Sequence, residues 1–255
     1  MSLGASPSGV RPGDEAEASR RVREMFGRVA PRYDLLNRLL SARIDHYWRR
    51  VLVHRTAAIL ERPEARVLDL CCGTGDVLLA LEGKRRRLHG GKEVQAIGSD
   101  FSRPMLDGAT RKLRGAGAPA ALVEADATLF PLADESVDLI TIAFGFRNLA
   151  SYRGGLEEFY RLLRPGGCLA ILEFSRPTNP IWGPLFEFYF RNVLPRVGNA
   201  ISGAGDAYSY LQHSVERFWT PQETEEQMRD VGYISVERTE LTGGIACLHL
   251  GTKGQ

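Results

Sequence analysis

The sequence predicts an α/β chain: a mostly parallel, seven-stranded sheet, doubly wound by helices, with an antiparallel last strand. Three observations predict it. From residue 66 onward, short apolar runs alternate with helix-spaced segments. The first run leads into a glycine-rich turn, Asp69-Leu-Cys-Cys-Gly73-Thr-Gly75-Asp76. The chain closes with two strand-like runs joined by a turn containing Gly243-Gly244. Parallel strands are buried on both faces and read as near-continuous apolar runs, whereas a tight hairpin reverses the chain, so the final strand opposes its partner.

Residues 1–14 read as a disordered tail ahead of one domain, 15–255. Residues 15–30 have helical spacing, with Val22, Met25, Phe26 and Val29 on one face, and 33–60 form a second helical stretch after the Pro31 break. Together, residues 15–60 make a helical cap. The strands then follow in order: Arg66–Leu70, Val94–Ser99, Ala120–Glu124, Val137–Ile142 and Cys168–Glu173. Helical stretches Val77–Leu81, Pro104–Leu113 and Leu156–Leu163 lie between them, the last stopped by Pro165-Gly166-Gly167. Residues 177–219 are an aromatic-rich insertion. After it come the helix Pro221–Val231 and the hairpin strands Tyr233–Thr239 and Ile245–Leu250.

The bulk composition narrows the function. A chain of 255 residues with 44% hydrophobic and 25% charged residues has ample material for a core. Lys and Arg exceed Asp and Glu by 33 − 31 = 2, without a concentrated basic face, so nucleic acid is not an expected partner. The short basic run Lys84–Arg87 is expected on a solvated helix end. Four cysteines with neither CxxC nor Cys/His ligand spacing imply no metal, and free thiols fit a reducing cytoplasm. No run approaches the ~18 apolar residues of a membrane span.

The turn after the first strand is the leading candidate site, because ligands of open α/β sheets bind beyond the carboxyl ends of the strands. Gly73 and Gly75 permit a sharp turn and a close backbone approach. A dinucleotide fingerprint wants a third glycine three residues after Gly75, where this chain has Leu78. No Gly-Lys-Ser/Thr follows, which excludes a P-loop. The remaining Asp-x-x-x-Gly-x-Gly loop suits a ligand without pyrophosphate. S-adenosylmethionine meets that description, with an amino group that can pair with Asp69, directly or through water. Asp100, followed by Phe101, ends the second strand, where a carboxylate can accept both ribose hydroxyls. Asp126-Ala127 follows the third strand, where the carboxylate can accept the adenine amino group and the Ala127 N–H donate to a ring nitrogen. Alone, a glycine-rich loop is more often a plain turn, and an acidic strand end is often a helix cap. In this order at successive strand ends they read as one cofactor site.

With these residues in place the chain resembles the class I methyltransferases, with their Rossmann-like fold. Among them it is similar to the ubiquinone/menaquinone biosynthesis C-methyltransferase family. The resemblance runs from Val22 to Lys253. It rests on Arg32-Tyr-Asp-Leu-Leu-Asn37 with Ser41 and Trp48, on Asp69–Asp76, and on Phe144-Gly-Phe-Arg-Asn148. It continues through Arg164-Pro-Gly-Gly with Leu172-Glu-Phe-Ser175, Tyr208-Ser-Tyr-Leu211 and Leu241-Thr-Gly-Gly244. Position by position it implies cofactor contacts at Thr74, Asp100, Asp126, Ala127 and Ala143, the last through its backbone. Asp45-His46 departs from the family pattern.

The resemblance also implies methyl transfer to a ring carbon of a polyprenyl quinol, a demethylmenaquinol or a 2-polyprenyl-6-methoxy-1,4-benzoquinol, in menaquinone or ubiquinone biosynthesis. An aromatic carbon becomes a good nucleophile when a ring hydroxyl loses its proton, so the substrate must be reduced and its anion stabilised. Arg147 is expected to acidify the quinol and hold the phenolate, since guanidinium stays protonated. Asn148 is expected to orient a proton-accepting water, and Tyr33 to touch the ring hydroxyls. A plain salt bridge from Arg147 to Asp34 or Glu173 is the competing reading, and His213 reads as structural or solvated. The apolar segment Ile181–Leu194 either lines a tail tunnel, lies on the membrane interface as a peripheral contact, or packs as a lid. A homodimer is compatible with each. Two further readings stand beside this one: a methyltransferase for another small aromatic or lipid acceptor, and a non-catalytic scaffold of a quinone-synthesis complex.

Overall fold

A computed structural model describes residues 14–34, 41, 43–90, 96–118, 120–177, 182–188, 192 and 205–255. The expected tail lies outside these residues apart from Asp14. The sheet has seven strands: β1 Val67–Leu70, β2 Ala96–Asp100, β3 Ala121–Glu124, β4 Val137–Ala143, β5 Leu163–Phe174, β6 Tyr233–Leu241 and β7 Ala246–Lys253. Their spatial order is β3-β2-β1-β4-β5-β7-β6. Strands β1 to β5 pair in parallel, and β7 inserts antiparallel between β5 and β6. Strand order reverses between β1 and β4, so a crevice opens beyond their carboxyl ends.

Side-chain alternation divides the core between the two faces of this sheet. Leu68, Leu70, Ile140 and Ile142 point to one layer, with Tyr152, Leu156 and Phe159 of α6 (Tyr152–Leu162) and Met228 of α9 (Pro221–Val231). Val67 and Leu139 point to the other. There they meet Trp48 and Leu52 of α2 (Ile44–Arg55), Leu78 and Leu81 of α4 (Asp76–Leu88), and Ala109 and Leu113 of α5 (Arg103–Gly115). Burying a Leu side chain contributes about 1.5–3 kcal/mol. The remaining described helices are α1 (Glu15–Val29), α3 (Ala57–Leu60), α7 (Trp182–Phe188) and α8 (Gly205–Arg217).

Four expectations about the elements need correction. The stretch expected as helical over 33–60 is, among its described residues, broken at Thr56 into α2 and α3, where the Thr56 hydroxyl donates back to the Leu52 and Val53 carbonyls. Lys84–Arg87 lies at the end of α4, as expected, but Arg85 within it is buried rather than solvated, donating to the Ala65 and Pro63 carbonyls at 2.7 and 3.1 Å. The carbonyls leading into β1 need donors, and Arg85 provides them. Helix α6 starts at Tyr152 rather than Leu156, because Ser151 accepts the Gly154 N–H at its N-terminus. Strand β5 starts at Leu163, and Arg164-Pro-Gly-Gly is an irregularity inside it, opposite Asp138, which accepts from Arg164 at 3.1 Å.

Helix α9 begins with a complete capping box, in which Thr220 Oγ accepts the Glu223 N–H at 3.2 Å and the Glu223 carboxylate accepts the Thr220 N–H at 2.7 Å. Thr220→Ala is expected to lower unfolding free energy by about 1 kcal/mol. Urea titration of the two proteins measures this, and an unchanged midpoint would show that the cap contributes nothing.

Candidate functional site

The loop after β1 is shaped by left-handed backbone. Cys71, Gly73 and Gly75 have φ of 51°, 55° and 82°, so the chain doubles back before α4. At Gly75 a Cβ would lie 3.2 Å from the Ala109 Cβ, so glycine serves both the turn and the packing of α5. Two connected clefts flank the loop. One is lined by Tyr33, Gly73, Asp100, Phe101, Asp126, Ala127, Ala143 and Asn148 among others. The second lies on the Asp69, Thr74 and Asp76 side and shares Tyr33, Cys71, Gly73, Ala143 and Phe144 with the first.

Each carboxylate of the site has a distinct setting. Asp69 pairs in register with Thr141 of β4, whose hydroxyl donates to Oδ1 at 2.6 Å. Its Oδ2 is buried without a hydrogen-bond partner among the described residues, and burial pushes the carboxyl to about 7. Asp100 accepts the Gly73 and Ser102 N–H groups, both at 2.9 Å, which ties the end of β2 to the glycine loop. Burial raises it to about 6. Asp126 is exposed and accepts from the Thr128 N–H and hydroxyl, while Ala127 is buried behind it. An orphaned buried carboxylate oxygen beside a glycine loop fits a ligand carrying a cationic amino group, as S-adenosylmethionine does.

The helical cap is pinned to this loop by charge. Asp34 accepts from the Thr74 hydroxyl at 2.6 Å and pairs with Lys112 of α5 at 2.8 Å. Lys112 also reaches Asp76, and Arg49 pairs with Asp45, which in turn accepts from Ser41 at 2.6 Å. Tyr33, next to Asp34, is thereby held over Gly73: a Cβ there would lie 3.8 Å from the Tyr33 ring. Thr74 uses its hydroxyl on this clamp, so what it offers the cleft is backbone.

A corner at the carboxyl end of β4 holds the polar residues expected to do chemistry. Phe144 adopts φ 58°, costly for an aromatic residue, and this aims its carbonyl at both the Arg147 guanidinium and the Asn148 amide. A Cβ on Gly145 would lie 2.4 Å from the Cys71 Cβ, so only glycine lets this corner pass the loop after β1. Arg147 is buried and donates to Glu173 at 2.7 Å, with its guanidinium 5.3 Å from the Phe174 ring centroid. Glu173 also accepts the backbone N–H groups of Arg147 and Phe174. Burial opposes the Arg147 charge, but Glu173 outweighs it, and the guanidinium is held above its usual range.

All twelve residues assigned from sequence fall around these clefts. Asp69, Gly73, Thr74, Asp100, Phe101, Asp126, Ala127, Ala143, Tyr33 and Asn148 line them directly. Gly75 shapes the loop, and Arg147 lies behind Asn148. Of the two salt-bridge partners weighed for Arg147, the structure gives Glu173, while Asp34 belongs to the Lys112 clamp. His213 is exposed on α8 and away from these walls. The sequence reading missed Lys112 and Arg49, which carry no motif, and Tyr210, which reaches Asn148 at 3.0 Å. Tyr210 sits inside a quoted signature, so a signal was present.

This fold and site define a class I methyltransferase that uses S-adenosylmethionine. Solved structures agree on the fold. A SAM-dependent methyltransferase from Aquifex aeolicus superposes with TM-score 0.55 at 19% identity, covering 78% of this chain and 88% of that one. The [4+2]-cyclase SpnF superposes at 0.59 and 14%, covering 81% and 80%. The profile described as the ubiE/COQ5 methyltransferase family matches residues 14–253. A demethylmenaquinone methyltransferase from Thermus thermophilus is 45% identical over 90% of this chain and 100% of its own length. One from Deinococcus radiodurans is 43% identical over 94% and 96%. A ubiquinone/menaquinone biosynthesis C-methyltransferase UbiE from Syntrophotalea carbinolica is 42% identical over 95% and 96%. The chain belongs to the ubiE/COQ5 methyltransferase family and is an S-adenosylmethionine-dependent C-methyltransferase.

Were Asp69 to hold the cofactor's cationic amino group, its raised carboxyl would make binding proton-linked: the amino group pairs with the ionised form, so the proton held near pH 7 would leave on binding and affinity would rise with pH. Between pH 5.5 and 7, below the range where the ligand's own α-amino group titrates, affinity is expected to increase about tenfold. Calorimetry in buffers of differing ionisation enthalpy reads the released proton. Asp69→Asn is expected to flatten the profile, and a profile that stays steep in this variant would assign the linkage elsewhere.

Proposed function

We propose that this enzyme methylates a ring carbon of a reduced polyprenyl quinol, taking a demethylmenaquinol to the menaquinol or acting on the equivalent methoxybenzoquinol of ubiquinone synthesis. The observation that carries the reading is the Phe144–Asn148 corner: a buried guanidinium, ion-paired yet fully charged, behind an amide and a tyrosine that face the cofactor cleft. The names of the relatives support the same substrate class. An intact glycine loop and corner argue against a silent scaffold.

S-adenosylmethionine supplies an electrophilic methyl group on a cationic sulfur. In this reading Asp69 holds its amino group, Asp100 the ribose hydroxyls, and Asp126 with the Ala127 N–H the adenine. Gly73, Thr74 and Gly75 give it backbone, and Phe101 and Ala143 wall it. The quinol is activated by the other residues. Arg147 is no base, because Glu173 keeps it protonated; its charge stabilises the phenolate as the ring hydroxyl loses its proton. Asn148 orients a water that takes that proton, and Tyr33 positions the ring against Gly73.

The test is direct. Purified enzyme, S-adenosylmethionine and reduced short-tailed demethylmenaquinol should yield a product one methyl heavier, with the label on ring carbon and no turnover of the oxidised quinone. Methyl on oxygen, or no transfer, would sink the proposal. Arg147→Lys keeps a charge for Glu173 but loses the planar fork, and is expected to lower kcat at least tenfold with cofactor affinity intact. Arg147→Ala is less informative, because an unpaired buried Glu173 destabilises the fold by about 3–5 kcal/mol.

No helix among the described residues is long and apolar enough to cross a membrane. The substrate's tail nevertheless resides in the bilayer, and we assign contact with it to the 177–219 insertion. Of the 181–194 segment, residues 182–188 and 192 are described; within α7, Phe188 is exposed. Changing Trp182 and Phe186 to Ser is expected to reduce co-sedimentation with anionic liposomes; equal sedimentation of variant and parent would remove the segment from membrane contact.

A further inference from the structure

We propose that Tyr210 is a positioning residue for methyl transfer, acting through Asn148. This rests on the role given to Asn148 above. Tyr210 lies on α8, in the insertion, far in sequence from the corner it touches. Its phenol lies 3.0 Å from Asn148 Oδ1, while Asn148 Nδ2 donates to the Phe144 carbonyl at 3.3 Å.

The hydrogen inventory fixes the direction of this chain. A backbone carbonyl only accepts, so the amide nitrogen must face Phe144, and the amide oxygen must face Tyr210. Tyr210 is therefore the donor. Its single proton is committed to Asn148, and the Asn148 amide is held at both ends. Flipping the amide would set its oxygen against the Phe144 carbonyl, a repulsive contact. The amide thus keeps one orientation toward the cleft that Asn148 lines, with an oxygen able to accept from a further donor such as a water or a ring hydroxyl.

The surroundings keep the phenol protonated. Burial raises Tyr210, and Glu173 raises it further, against the pull of Arg147. The Tyr152 hydroxyl, also near, donates to the Arg147 carbonyl at 2.9 Å, so it fixes the backbone of the same turn rather than competing for Asn148. The 3₁₀ turn Phe146–Asn148 is thus held from below by Tyr152 and from the insertion by Tyr210.

The experiment compares Tyr210→Phe, Asn148→Ala and the double variant with the parent protein. It measures kcat and KM for reduced short-tailed quinol, the Kd for S-adenosylmethionine, and Tm. Tyr210→Phe is expected to lower kcat about tenfold, the scale of one hydrogen bond, with cofactor Kd within about twofold and Tm little changed. The double variant should be no slower than Asn148→Ala alone, since Tyr210 works only through that amide. Parent-like turnover of Tyr210→Phe, multiplicative losses in the double variant, or parallel losses of Tm and cofactor affinity would each overturn the inference. If Asn148→Ala itself turns over like the parent, the role of Asn148 fails, an outcome distinct from failure of Tyr210 alone.

Discussion

The site is organised around a charge that has been taken out of water. Arg147 and Glu173 are both buried, and desolvating either alone would be prohibitive. Pairing them offsets much of that cost and commits two strand ends to one geometry: the turn after β4 and the last residues of β5. Glu173 satisfies three donors at once, so its position dictates that of the Arg147 backbone as well as its side chain. Phe144 must then take a left-handed conformation to bring its carbonyl to the guanidinium, and Gly145 must lack a Cβ to clear Cys71. The corner is rigid because one buried pair leaves no freedom to its neighbours.

That corner meets the cofactor loop through shared residues rather than mere proximity. Cys71, Gly73, Ala143 and Phe144 belong to the walls of both clefts. Strain lies on either side of the contact, at Cys71 and at Phe144, where local backbone preference yields to tertiary packing and charge placement. The helical cap closes the arrangement: Trp48 packs near Phe144 and Phe174 and donates to the Thr242 hydroxyl at 2.8 Å, which joins cap, corner and terminal hairpin. Residues of the cap and of the terminal hairpin thus meet beside the Phe144–Asn148 corner.

The fold alone would not have led to this chemistry. A methyltransferase and a [4+2]-cyclase superpose on this chain about equally well, as expected when function resides in a site grafted on a widely used scaffold. The discriminating features are few: an orphaned Asp69 oxygen, paired carboxylates at successive strand ends, and a charged corner facing them.

The sequence by itself determined the α/β class, the strand order of appearance, the antiparallel end and ten of the residues lining the clefts. These are written locally: strand apolarity, glycines at turns, a Pro at the start of α9, acids at strand ends. Only the tertiary structure decided which partner Arg147 takes, because Asp34 and Glu173 lie on segments whose distance in space no periodicity encodes. It also decided that Lys84–Arg87 includes a buried arginine, since the carbonyls calling for Arg85 belong to the approach to β1. Likewise Lys112 and Tyr210 bear no recognisable spacing relative to the groups they touch. Hydrogen bonds and ion pairs act between side chains that meet only when the sheet closes, so their pairing is a property of the packed chain.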